Sequence, residues 1–187
     1  MKYVKFTPHW QEPVREIADR VLGAGYFGKA SEFARNPGTH LIICLDDDQL
    51  LGFAYGRLLP KQGLRDFLEH RVDFVPGELE EADIAGAFGV IQSLAVTPEQ
   101  RGKGIGTGLV SRLHDILIGH GADKMIATFK RGPSSSNVEG IMKRLGFEFW
   151  LRLKTSFQDR CDGGSFVCLD RTGQCNCEAE FFRKTIF

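Results

Sequence analysis

The sequence predicts an α/β fold, and three observations support that expectation. Apolar runs of strand length alternate with segments whose apolar residues recur at helical spacing. One strand-like run opens through a glycine-rich turn directly onto a helical segment. The chain has 187 residues, which suits one domain, or one domain with a short appendage, with a substantial core.

The elements follow in order. After Pro13, a residue favoured in a first helical turn, Val14, Ile17, Ala18, Val21 and Leu22 share one helix face, so the first 36 residues read as helical. Glycines from Gly23 to Gly28 end that helix, and Asn36-Pro37-Gly38 makes a turn. Residues 41–45 and 50–59 form two strands joined by Asp46-Asp47-Asp48-Gln49. Residues 60–83 break the pattern and form an insertion between strands; a specificity loop and a solvated connection both fit it. Residues 87–96 return to strand chemistry. A helix then carries Ile105, Leu109, Leu113, Ile116 and Leu117 on one face and stops at His120-Gly121. Residues 124–129 form a strand. Ser136 and Glu139 have capping-box spacing at the start of a helix with Val138, Ile141, Met142 and Leu145 on one stripe. Residues 147–157 form a strand, and 166–169 with 175–182 read as a C-terminal β-hairpin around Asp170-Arg171-Thr172-Gly173.

Composition excludes several classes of function. Lys plus Arg and Asp plus Glu are 24 each, so no net positive field is available to grip nucleic acid or an anionic membrane. The longest uncharged stretch, residues 84–98, is too short to span a bilayer. Glu12, Arg15 and Glu16 interrupt any apolar leader, so a cytoplasmic location is expected. Cys161, Cys168, Cys175 and Cys177 are separated by six, six and one residues. Zinc ligands usually pair as C-x2-C or C-x4-C, so ordinary strand cysteines are the first expectation and no metal is assigned.

The segment with chemical content runs from Leu94-Ala95-Val96 through Arg101-Gly102-Lys103-Gly104-Ile105-Gly106-Thr107. Glycines at alternate positions leave backbone N–H groups uncovered at a helix start, where the macrodipole also favours an anion. Arg101 and Lys103 add charge at the rim, and a pyrophosphate fits the arrangement. A Walker A loop is excluded, because no Gly-Lys-Ser/Thr occurs. Gly23-x-Gly25-x-x-Gly28 matches a dinucleotide fingerprint in letters, but helical spacing precedes it where a strand is required.

Arg101-x-x-Gly104-x-Gly106, the Leu94-Ala95-Val96-x-Pro98 run before it and the Leu145-Gly146-Phe147 helix ending resemble the GCN5-related N-acetyltransferase (GNAT) superfamily. The resemblance covers residues 1–157 and leaves 158–187 as a Cys-rich extension packed on the domain. It implies a mixed central sheet with helices on both faces, and transfer of an acetyl or other acyl group from acetyl-CoA to a primary amine. Backbone from Arg101 to Thr107 would hold the pyrophosphate. Leu94, Ala95 and Val96 would pair with pantetheine as a strand edge does, and Ser135 and Asn137 would touch it from the next helix. The acceptor would be a small-molecule or peptide amine, with a homodimer as one assembly the resemblance allows. Tyr26 and Phe27 fall where members line the acceptor pocket.

The sequence departs from the family pattern at the catalytic groups. Many members place a Tyr five residues before the Phe of Gly-Phe; this chain has Met142, on the apolar stripe. Many carry a Glu on the strand before the loop; residues 84–96 hold no carboxylate. Gln92 is the one large polar side chain there. It cannot titrate, so it can only orient water or substrate. The same fold acting as a non-catalytic acyl-CoA binder is the competing expectation.

Overall fold

The computed structural model describes residues 1–27, 38–131, 138–154, 161, 164, 167–169 and 178–186. In chain order the elements are β1 (Lys2–Lys5), α1 (Gln11–Val21), β2 (Thr39–Asp46), β3 (Gln49–Leu58), α2 (Leu64–Phe67) and α3 (Gly77–Ala85). They continue with β4 (Phe88–Val96), α4 (Ile105–Gly119), β5 (Lys124–Arg131), α5 (Val138–Arg144), β6 (Glu148–Lys154) and β7 (Glu178–Thr185). The strands form one seven-stranded sheet in the order β1-β2-β3-β4-β5-β7-β6. Only β4 and β5 pair in parallel; every other neighbour is antiparallel. The expected mixed sheet is therefore present.

Helices cover both faces, as the alternating strand residues require. On one face Leu109, Leu113 and Leu117 of α4 and Met142 of α5 pack with Leu51, Ala54, Ile91 and Leu94. On the other, α1 buries Val14, Ile17 and Ala18 against Leu41, Ile43, Phe53 and Ala95. The same face carries a separate cluster farther along the sheet, in which Leu64, Leu68, Val75, Leu79 and Ala82 meet Phe88, Val90, Ile126 and Phe181. The 60–83 segment is thus a packed helical layer, not a solvated connection. Asp83 fastens it by accepting the Leu64 N–H at 3.0 Å, at the start of α2. Burial raises the Asp83 pKa, opposed by the amides of Leu64 and Gly63.

Two elements differ from the sequence expectation. Residues 2–5, read as part of a helical N-terminal segment, form β1, which pairs with β2 from Lys2↔Leu45 to Lys5↔Ile42. Lys-Tyr-Val-Lys is too short to carry a readable period, and its strand state comes from the β2 edge. The C-terminal pairing is present but has different partners. β7 does not pair with the described residues 167–169, where Val167 forms an isolated bridge to Ala24. Instead, β7 lies between β5 and β6 and pairs with both. The sheet therefore does not end near residue 157. Its second-to-last position is filled by the last strand of the chain. The expected turn at 170–173, the Ser136 cap, Cys175 and Cys177 lie outside the described residues.

Candidate active site

The site begins with an irregularity in β4. Tyr55 pairs with Ser93 and Gly56 with Ile91, so Gln92 is an extra residue with no partner on β3. The parallel ladder to β5 ends at the same place, at Ile91↔Ala127. Beyond it β5 runs on beside β7, through Arg131↔Glu178. From Gln92 onward, the β5-facing side of β4 is unpaired. Thr97 N–H bonds to Leu51 O on β3 at 3.0 Å. Alternation along the strand therefore turns the Ala95 backbone toward β3 as well, and turns Leu94 and Val96 toward the vacated side. Consistent with this, a Cβ at Gly52 would lie 2.5 Å from Ala95 O. Of the three residues named from the sequence, two present backbone groups to the open side and Ala95 does not.

The turn after β4 leads into α4 through Gly104, its N-cap, at φ +80°. Gly102 has φ +79°, and a Cβ at either glycine would meet nothing within 4 Å. These two glycines supply left-handed backbone in front of open space. Gly106 and Gly108 are small for a different reason. A Cβ at Gly106 would press Ile141 at 3.1 Å, and one at Gly108 would strike the Tyr3 hydroxyl at 2.3 Å. The N–H groups of Ile105, Gly106 and Thr107 occupy the first turn and have no intrahelical acceptor. Ile105 is 1% exposed and contributes backbone only. Arg101 N–H is engaged with Pro98 O. The Arg101 side chain reaches Val96 O at 3.4 Å, and Lys103 reaches Gln100 Oε1 at 2.8 Å. Both remain exposed at the rim. Ser135 and Asn137 lie outside the described residues.

Polar groups gather at the bulge in β4. Ser93 is 3% exposed, and its Oγ lies 3.0 Å from the Tyr26 hydroxyl. Phe27 stacks on Phe53 and Tyr55 beside it. Gln92 Oε1 is buried with no hydrogen-bond partner. Tyr26 and Gln92 were legible as candidates. Ser93 was not, because a lone serine in an apolar strand gives no signal until the bulge turns it toward Tyr26.

Met142 and the titratable side chains on other elements have structural partners. Met142 is 0% exposed in the α4–α5 cluster. Met142→Ala is expected to lower unfolding free energy by about 2–5 kcal/mol, read by denaturant melts. A stable variant whose turnover collapsed would instead give this residue a chemical role. His114 belongs to the α4–α5 layer, where Nε2 meets Lys184 Nζ at 2.9 Å and Nδ1 meets Asp115 at 3.1 Å. His120 Nδ1 caps α4 on Ile116 O at 2.8 Å. His70 pairs with Asp66 and Glu80 with Arg65 in the insertion. The glycines from Gly23 follow α1 directly, and Gly25 N–H is bound by Asp19, so no strand–turn–helix exists there.

The middle strands of a mixed sheet thus part beside a glycine-capped helix start. Residues 5–147 match the acetyltransferase (GNAT) family, and the chain belongs to that family. No curated protein matches the chain at a significant level. Among solved structures, ribosomal-protein-alanine N-acetyltransferase from Brucella melitensis superposes with a TM-score of 0.64 at 15% identity, over 100% of both chains. Aminoglycoside 6'-N-acetyltransferase from Enterococcus faecium gives 0.63 at 14% identity, over 100% of this chain and 98% of that one. The Salmonella typhimurium protein yncA, solved with its cofactor acetyl-CoA, gives 0.60 at 15% identity, over 100% and 94%. At these identities the likeness is one of fold. No described helix is long and apolar enough to cross a membrane.

Proposed function

We propose that this chain is an N-acetyltransferase that moves the acetyl group of acetyl-CoA to a primary amine. The observation that carries this reading is the parting of β4 from β5 at Ile91 and Ala127, directly before the Gly102–Gly104 turn. The N–H groups of Gly104, Ile105, Gly106 and Thr107 are suited to a pyrophosphate, helped by the α4 dipole. The free backbone of Leu94 and Val96 is suited to the pantetheine amides, as one strand edge pairs with another. Ser135 and Asn137 are assigned to the same arm from their sequence positions.

With the thioester in the gap, a neutral amine entering from the α1 side attacks the carbonyl carbon. The C–N bond forms, the C–S bond breaks, and the thiolate takes up a proton. Gln92, at the bulge, orients the amine or a water and transfers no proton itself. β4 contributes no carboxylate, so the amine must lose its proton to solvent or to a group beyond that strand. The Tyr26–Ser93 hydroxyl pair borders the route of entry.

Purified protein given acetyl-CoA should release thiol only when an amine is added. Scanning small amines, amino acids, polyamines, aminoglycosides and peptides identifies the acceptor class. The burial of Met142, where many relatives carry a Tyr, favours a second reading: an acetyl-CoA binder without transfer. Tight acetyl-CoA binding with no amine-dependent thiol release across the scan would establish it.

A further inference from the structure

The two apolar clusters on the acceptor face do not merge. The α1 cluster ends at Tyr55, and the α2–α3 cluster begins at Leu59. Between them β3 presents Arg57 and β4 presents Ser93, with the bulge residue Gln92 next to it in the strand. Arg57 pairs with Val90, so it stands two residues along β4 from Gln92, roughly 6–7 Å. Arg57 Nε is buried without a hydrogen-bond partner, and its guanidinium lies 5.9 Å from the Phe67 ring. Neighbouring arginines have carboxylates: Arg65 pairs with Glu80, Arg71 with Glu69 and Arg183 with Glu78. Among the described residues, Arg57 has none. Asp83, the buried carboxylate of the insertion, already accepts the Leu64 N–H.

A partly buried guanidinium with an unused donor, near a buried unused acceptor, is costly unless water or a ligand completes both, and a ligand can complete both at once. The pairing sought is an oxyanion for Arg57 and an N–H for Gln92 Oε1. From this we infer that the acceptor amine carries a carboxylate, as a free α-amino acid does, and that Arg57 reads it. The inference rests on the acetyltransfer reading for the identity of the acceptor site. A guanidinium matches a carboxylate with two parallel N–H···O bonds, which a neutral amide cannot reproduce. Polycationic acceptors such as aminoglycosides fit poorly, because Arg57 offers them a like charge.

The test is calorimetric binding to the full chain, with saturating coenzyme A, of amino acids, their C-terminal amides and the corresponding decarboxylated amines. At least one amino acid should bind about 10- to 100-fold more tightly than its amide and its amine. Arg57→Gln should erase that preference, and Arg57→Lys should restore part of it. Thermal melts check that both variants fold, and the wild-type preference is informative without any variant. Equal binding of the three forms, binding of no amino acid, or an intact preference in Arg57→Gln overturns the proposal. Thiol release from acetyl-CoA over the same panel reports separately on transfer. A carboxylate preference without thiol release would refute acetyl transfer and leave the recognition standing.

Discussion

Gly104→Glu is expected to lose at least about 100-fold in acetyl-CoA affinity while remaining folded, since like charges set against each other cost several kcal/mol. Two effects act at this position and can be separated. At φ +80° any side chain strains the backbone, a cost of about 1–2 kcal/mol, against a typical total stability of about 5–15 kcal/mol. The strained variant therefore still folds. The carboxylate would project into the open space in front of Gly104, where a Cβ meets nothing within 4 Å. That is the space a pyrophosphate must occupy if the first turn of α4 binds it. Gly104→Ala isolates the strain, and it should melt earlier yet keep affinity within about tenfold of wild type. Calorimetry showing unchanged acetyl-CoA binding in Gly104→Glu would remove the turn from the site.

A chain stopped at residue 157 is expected not to fold. It would lack β7, which bonds along all of β5 from Lys124↔Thr185 to Arg131↔Glu178 and along β6 from Glu148↔Arg183 to Lys154↔Glu178. Phe181 and Phe182, 3% and 1% exposed, would go with it. Truncating one buried Phe costs about 3–5 kcal/mol. Losing both, with the ladders on either side, exceeds the total stability of an ordinary domain. The shortened chain should show no cooperative thermal transition and no native near-ultraviolet circular dichroism. A sharp melt would mean that residues 1–157 are self-sufficient after all.

That boundary shows what kinds of feature the sequence reveals. The helix faces of α1, α4 and α5 depend on periods of three and four residues, so they are readable without any partner. The Gly102–Gly104 turn is equally local, because one strand end, two glycines and one helix start define it. The position of β7 depends on pairing with residues 47 to 61 earlier in the chain, and no local period encodes which neighbours a strand takes. β1 was missed for the same reason at smaller scale. The acceptor face was only partly legible. Gln92 stood out as a large polar residue in an apolar run. Arg57 and Ser93 did not, because Arg57 comes near Gln92 only through the β3–β4 pairing and Ser93 meets Tyr26 only once the bulge has turned it. Met142 was legible as packing from its stripe, and its burial agrees.

The place of β7 also bears on the order in which the protein can be made. During synthesis every other strand leaves the ribosome first, yet two of them, β5 and β6, cannot be joined until the last one arrives. For that interval the growing chain must hold a sheet with an open slot, along which the β5 backbone from Lys124 to Arg131 lacks the partner that β7 later supplies. Long-range strand insertion of this kind is slow and leaves apolar edges exposed meanwhile. The fold is therefore complete only once β7 has inserted, and its most aggregation-prone interval falls between the emergence of β6 and that insertion.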